Sequence, residues 1–290
     1  MQPVAGQARR LWRRGLVLLS CWLCAGSAFA GTAPQRVVSM NLCTDQLLVL
    51  LADPEKILSV SYLSAEQHSS YVADTVLGRG YPLNHNLPEE IIPLKPDLVV
   101  TGMYLHQSET RLMREAGLRV ETFPVFNRLA DVKSNIRKMA QLLGESTRGE
   151  ELIAAMDARQ AALTQALPES GPRAVAYHAR GYTQGRNTLL DELMTLAGFH
   201  NIARDFDIEG YGSIGLEALA GARADVMISS EYAPGTRSAG QYFLQHPVLK
   251  RLFPEQKQRI ELQTRNLICG GPMNLDALQT LIEYRHALAD

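Results

Sequence analysis

The sequence predicts an α/β chain of two similarly built lobes with parallel sheets, joined by one long helix. Three observations predict it. Short β-branched runs, apolar on both faces, alternate with helical patterns; the alternation occurs twice; and an unbroken helical stretch separates the two occurrences. The chain has 290 residues, 46% hydrophobic and 20% charged, with 29 Lys and Arg against 30 Asp and Glu. This composition is too apolar for disorder and has no basic excess for nucleic acid. Beyond the N-terminal segment no run of about twenty apolar residues offers a bilayer span.

Residues 1–30 read as a signal peptide. Arg9, Arg10, Arg13 and Arg14 form a basic start, Leu16 to Phe29 an apolar core, and Ala28-Phe29-Ala30 a small-x-small cleavage site, so the mature chain is expected to begin at Gly31. A retained anchor and lipidation at Cys21 are the alternatives, and Arg9-Arg10 leaves Sec or twin-arginine export open. Cleavage removes four arginines and no acid, together with Trp12, Trp22, Cys21 and Cys24. The mature chain is then acidic, lacks Trp, and keeps only Cys43 and Cys269. An oxidising compartment permits those two to pair. One bridge is no scaffold, so the core must hold the fold.

In the first lobe (31–146) strands are expected at Arg36–Met40, Ile57–Val60, Asp97–Thr101 and Arg119–Phe123. A helix from Gln107 to Ala116 closes on Gly117. Val132, Ile136, Met139 and Leu143 keep the spacing of a buried helix face. The second lobe (168–290) echoes the first. Arg173–Tyr177 resembles Arg36–Met40, and Asp191–Ala197 resembles Asp45–Leu51. Glu89 precedes Asp97-Leu98-Val99-Val100 by eight residues, and Glu217 precedes Asp225-Val226-Met227-Ile228 by the same eight. Between the lobes, Thr147 to Leu167 has no Pro and no Gly beyond Gly149. About twenty helical residues make a stiff rod of roughly 30 Å.

Leu87-Pro88-Glu89-Glu90-Ile91-Ile92-Pro93-Leu94-Lys95-Pro96-Asp97-Leu98-Val99-Val100 resembles the LExIxxLKPDLV signature of periplasmic substrate-binding proteins of ABC importers for cobalamin, ferric siderophores and haem. Arg36-Val37-Val38-Ser39-Met40-Asn41 and Leu216-Glu217-Ala218-Leu219 add to the resemblance, which covers Gln35 to Asp290. It implies two Rossmann-like lobes with parallel sheets, bridged by a single long backbone α-helix (147–167). It also implies a monomeric carrier without enzymatic activity, cofactor or resident metal. Such a carrier delivers a corrinoid (cobalamin) or ferric siderophore to an ABC permease and its ATPase. A haem or metal-ion binder of the same fold is the near alternative. By the same resemblance, Glu89 and Glu217 are the acids, one per lobe, that meet arginine pockets on the two halves of the permease; as plain helix N-terminal acids they would answer to the macrodipole.

Open α/β sheets bind ligands beyond the carboxyl ends of their strands. The candidates are therefore Met40, Asn41, Cys43 and Thr44; Tyr62 and Leu63; Met103 and Tyr104; Tyr177, His178, Arg180 and Tyr182; Glu231 and Tyr232; and Arg265, Asn266 and Cys269. The set is rich in Tyr and sparsely charged, which suits a large flat amphipathic ligand. Arg180 and Arg265 offer partners for carboxylate or phosphate, and haem would want an axial ligand such as His178 or a Tyr. Cys43 and Cys269, if both at the cleft, are placed to bridge the lobes and limit opening; two buried free thiols are the alternative.

Other motifs carry less. Gly210-Tyr211-Gly212-Ser213-Ile214-Gly215 matches G-x-G-x-x-G, but Asp205–Glu209 before it is too acidic for a central strand, so a loop leading into the helix of Glu217 is expected. The seven histidines are scattered without H-x-x-x-H spacing. A periplasmic hydrolase would need a nucleophile such as Ser213 or Cys43, and neither has the expected surroundings.

Overall fold

Val37, Val38 and Ser39 have no exposed surface, so they form a central strand rather than an edge. The computed structural model describes residues 33–103, 107–165, 167, 171–231 and 243–289; the expected signal peptide lies outside the described residues. The first sheet contains β1 (Val37–Ser39), β2 (Ile57–Ser61), β3 (Leu83–Asn84), β4 (Leu98–Gly102) and β5 (Val120–Phe123). Their order is β3-β2-β1-β4-β5, and every pair is parallel. Around it lie α1 (Leu42–Leu51), α2 (Ala73–Arg79), α3 (Pro88–Ile91), α4 (Gln107–Glu115) and α5 (Leu129–Leu143). Val132, Ile136, Met139 and Leu143 of α5 are fully buried. The chain leaves α4 through Gly117 at φ 84, a left-handed conformation in which glycine has no side-chain penalty.

The long connector is α6 (Ser146–Thr164), three residues shorter at its end than the expected rod. Only Gly149, Ile153 and Met156 of it are buried. A Cβ at Gly149 would stand 2.5 Å from the Ala140 Cβ of α5, so the two helices touch backbone to side chain there. Arg137 grips Glu150 through two bonds of 2.7 and 3.1 Å, and Lys133 pairs with Asp157. Toward its far end, Arg159 of α6 pairs with Asp276 at 2.7 Å and donates to Gln279 at 2.9 Å. Both partners lie on the C-terminal helix, Asn274–Ala289, which packs on the second sheet.

The second half contains β6 (Arg173–Ala176), β7 (Tyr182–Gln184), α7 (Leu189–Leu196), β8 (His200–Asn201), β9 (Tyr211–Ser213), α8 (Leu216–Gly221), β10 (Val226–Glu231) and β11 (Arg259–Gln263). Four of these strands form a parallel sheet in the order β11-β10-β6-β8. Read from β8, the order β8-β6-β10-β11 reproduces β2-β1-β4-β5. The likeness extends to hydrogen bonds. The Asp97 carboxylate accepts from the backbone N–H groups of Gln35 (2.7 Å) and Arg36 (3.0 Å), and that of Asp225 accepts from Arg173 N–H (2.8 Å). Two residues before each aspartate, Lys95 and Arg223 take left-handed φ values of 49° and 51°. Duplication is written in the geometry as well as the letters. The G-x-G-x-x-G stretch departs from expectation: Tyr211–Ser213 is a strand, antiparallel to β7, rather than loop throughout. It pairs because β7 offers it a free edge outside the main sheet.

The paired helices α1 and α7 each carry a buried aspartate, with different solutions. Asp191 accepts two bonds of 2.8 Å from the Arg204 guanidinium and one of 2.9 Å from Asn201. Asp45 is wholly buried and answered only by hydroxyl and amide: Ser61 donates both its backbone N–H, at 3.2 Å, and its hydroxyl. Desolvation outweighs the hydrogen bonds from Ser39 and Ser61 and pushes the Asp45 carboxyl up to about 7.

Three outcomes are expected. Gly149→Val should lower the free energy of unfolding by about 1–3 kcal/mol through overpacking against Ala140. Gly78→Ala, where a Cβ meets nothing within 4 Å, should be neutral or mildly stabilising; urea midpoints compare the two. Asp45 has an ordinary value of 3.8. Between that and about 7 the unfolded chain holds fewer protons than the native one, so stability falls as pH rises and levels off above 7. Asp45→Asn should flatten that slope, by on the order of 2–4 kcal/mol between pH 4 and 8. An unchanged slope in urea titrations would count against a protonated Asp45.

Candidate functional site

The carboxyl ends of the two sheets share a hollow of about 620 Å³. Its first wall begins at the turn from β1 into α1. Asn41 caps α1, its side-chain oxygen accepting from the backbone N–H groups of Cys43 (3.0 Å) and Thr44 (3.4 Å). The Thr44 hydroxyl in turn bonds the Asn41 carbonyl at 3.0 Å and the Ser39 hydroxyl at 2.8 Å. These bonds lock the strand-to-helix turn and set Asn41, Cys43 and Thr44 on the hollow. Beyond β4 and β5, Met103, Phe123 and Phe126 add apolar surface, and Asn135 is held by its bond to the Pro124 carbonyl (3.1 Å).

The opposite wall is built by the β7/β9 pair. Tyr182 and Tyr211 stack with ring centroids 5.8 Å apart and planes 11° from parallel, and both remain substantially exposed. Burial first, and then the neighbouring Tyr211, raise the Tyr182 phenol above its usual range, so it stays a neutral donor. Leu189 and Leu190 of α7, Gln184, and Ile268 complete this side. Glu192 of α7 accepts the Leu129 backbone N–H at 2.7 Å, capping α5 from the other lobe.

At the floor, Cys43 and Cys269 form a disulfide with Cα atoms 5.0 Å apart, 226 residues apart in sequence. Wholly buried Asn274 shapes the loop that presents Cys269. Its side chain donates to the carbonyls of Asn266 and Cys269, both at 2.9 Å, and accepts from Gly271 N–H at 2.9 Å. A Cβ at Gly270 would lie 2.7 Å from Val132 and 3.1 Å from the Phe126 ring, so this loop presses directly on the first lobe. Asn274 and Gly270 were invisible from strand-end reasoning, since neither follows a strand.

The other candidates fall elsewhere. Met40 is fully buried beneath β1 among Ile91, Val99 and Met113, and does not line the hollow; strand alternation turns it into the core. Tyr177 is likewise fully buried, and its hydroxyl donates to the Ile214 carbonyl at 2.9 Å. Tyr62 is an exposed side chain stacked on His85 at 5.3 Å rather than a cleft residue. Arg180 sits exposed in a left-handed turn at φ 60, also off the lining. His178 is half-buried beside Tyr182; its Nε2 is buried without a partner, and desolvation lowers its pKa, leaving a neutral imidazole. Arg265 lines a second hollow. Tyr104 and Tyr232 lie outside the described residues. Glu89 and Glu217 are exposed in the first turns of α3 and α8, at matching places in the two halves. No group of His, Cys, Asp and Glu suited to a metal ion occurs among the described residues.

Known proteins bear on this arrangement. A cobalamin-binding protein of Halobacterium salinarum is 28% identical over 204 residues, covering 68% of this chain and 54% of the relative. The chain thus spans about half the length of the curated relatives it matches. The structure resembles the apo periplasmic heme-binding protein RhuT from Roseiflexus sp. RS-1, at 25% identity and TM-score 0.70, with 88% of this chain and 99% of the other covered. The periplasmic vitamin B12 binding protein BtuF of Vibrio cholerae shares the fold at 19% identity and TM-score 0.66, with 89% and 99% covered. A family model described as periplasmic binding protein matches residues 37–261, from β1 into β11. The chain belongs to the periplasmic binding protein family.

Proposed function

We propose that this chain is the exported substrate-binding component of an ABC importer, and that its cargo is a corrinoid. The observation that carries the reading is the chemistry of the inter-sheet hollow. Four aromatic rings (Phe123, Phe126, Tyr182 and Tyr211) are combined there with side-chain amides at Asn41, Asn127, Asn135 and Gln184. Flat apolar faces suit a large planar ring, and neutral amides suit a ring whose rim is itself made of amides. Ferric catecholates and haem carry anionic groups that call for Arg or Lys, and the described lining is neutral. Haem is the second reading, favoured by the exposed Tyr182 and Tyr211 on the wall, since a tyrosine can serve as an axial ligand. Residues 1–30 serve export in this reading.

Glu89 and Glu217 are read as the two anionic posts that the permease recognises. Their equivalent places on α3 and α8 put one on each lobe, and α6 keeps their spacing. Exposed charges of this kind set association and partner choice more than stability.

Cobalamin at one hundred times its dissociation constant should stabilise the protein by about 2.7 kcal/mol, read as an upward thermal shift that ferric chelates do not produce. A shift with haem and none with cobalamin would replace the corrinoid reading with the haem one. Glu89→Ala together with Glu217→Ala should leave cargo affinity intact and weaken permease binding about tenfold or more at low salt. Unchanged permease affinity would remove the docking role.

A further inference from the structure

Beside the aromatic hollow lies a second one of about 590 Å³, and the two meet at Thr264, which lines both. One side is the segment between β2 and α2, with His68, Ser70, Tyr71 and Asp74; the other is the end of β11 and the turn after it, with Glu261, Gln263 and Arg265. Both lobes thus contribute, as they do to the first hollow. Its chemistry is the reverse: ionisable and polar where the first is apolar and neutral.

Its inner wall carries an unsatisfied polar group. The Ser70 hydroxyl is buried, in a residue 1% exposed, and has no hydrogen-bond partner. Behind the wall, completely buried Gln46 of α1 accepts the Tyr71 backbone N–H at 2.8 Å, which fixes the segment that carries Ser70 and Tyr71. Buried donors and acceptors are almost always paired, so a wall that leaves the Ser70 hydroxyl bare beside a hollow is shaped for something polar.

We infer that the second hollow is an annex to the cargo site that takes a ribonucleotide-like tail carrying a phosphodiester, continuous with the flat ring held in the first. The inference rests on the corrinoid reading above. Each part of such a tail has a match. Arg265 is half-buried, with its Nε bonded to Gln263 at 2.9 Å, which orients the guanidinium for a phosphate oxygen. Asp74, whose Oδ1 accepts from Gln67 at 3.2 Å, is an acceptor for ribose hydroxyls. Tyr71, 39% exposed, presents a ring on which a base can stack.

The test compares cobalamin with cobinamide, the same corrin ring without the ribonucleotide tail, by calorimetric titration of the purified protein. Cobalamin should bind at least tenfold tighter. Arg265→Gln should reduce cobalamin affinity about tenfold and leave cobinamide affinity unchanged, and Arg265→Glu should weaken cobalamin further while cobinamide again reports an intact fold. Equal affinities for the two ligands would overturn the annex alone and leave the corrinoid reading standing. Equal loss of both in Arg265→Gln would overturn it too, by assigning Arg265 to the architecture of the cleft. Binding of neither ligand would overturn the corrinoid reading, and the annex with it.

Discussion

A hollow between two sheets exists only while the distance between them is held, and the packing of α6 against α5 at Gly149 is what holds it here. Without a side chain at that position the helices approach to contact, and Ile153 and Met156 bury the next turns. Leu152 and Leu163 add partly buried contacts to the core, and charged side chains of α6 form ion pairs to α5 and to the C-terminal helix. A helix fixed at both ends behaves as a strut, because its backbone bonds are satisfied internally and bending it breaks them. The disulfide supplies a second fixed point at the cleft floor. Two fixed points between the lobes leave room for small closure and little for wide opening, which favours a cleft largely formed before cargo arrives.

The duplication explains why the cleft has two comparable walls. Parallel strands in the same order bring the same end of each sheet to the shared space, and the Asp97 and Asp225 bonds repeat the approach of the chain to β4 and β10. The halves diverge where they specialise. Among the described residues β3 has no counterpart in the second sheet, and the β7/β9 pair has none in the first. That pair supplies the stacked Tyr182 and Tyr211, so one of the aromatic walls is an addition to the repeat. The buried acids diverged as well: Asp191 gained Arg204, whereas Asp45 is left with hydroxyls and a raised pKa.

The central strands were legible because strands buried on both faces have no polar alternation to disguise them. The same holds for α5, whose apolar stripe is complete, and for the repeat, whose eight-residue spacing from Glu to Asp reappears as two short helices followed by left-handed turns. The β7/β9 pair was not legible. Its residues, Tyr-Thr-Gln and Tyr-Gly-Ser, carry little apolar alternation, and its partners lie nearly thirty positions apart. For the site, strand-end reasoning located the backbone and left the side-chain directions open. It placed Asn41, Cys43, Thr44 and Tyr182 where they line the hollow, yet it also selected Met40 and Tyr177, which the strand pleat turns into the core. Asn274 escaped because its work is to shape a loop, and Asn carries no periodic signal for that.

The division between an apolar hollow and a polar one follows from what each wall can satisfy. Strand ends followed at once by capped helices spend their polar groups locally: Asn41 on the α1 amides, Thr44 on Ser39 and the Asn41 carbonyl. What remains facing the first hollow is ring, methyl and methylene surface, with amides in reserve. The segment between β2 and α2 is one short 3-10 helix followed by turns, its bonds being made by the carbonyls of Ser61, Leu63 and Glu66. Ser70 therefore reaches the wall with capacity unspent. A cargo with one flat apolar part and one polar part would meet both kinds of surface without leaving either unmatched. A purely flat one would leave the buried Ser70 hydroxyl without a partner.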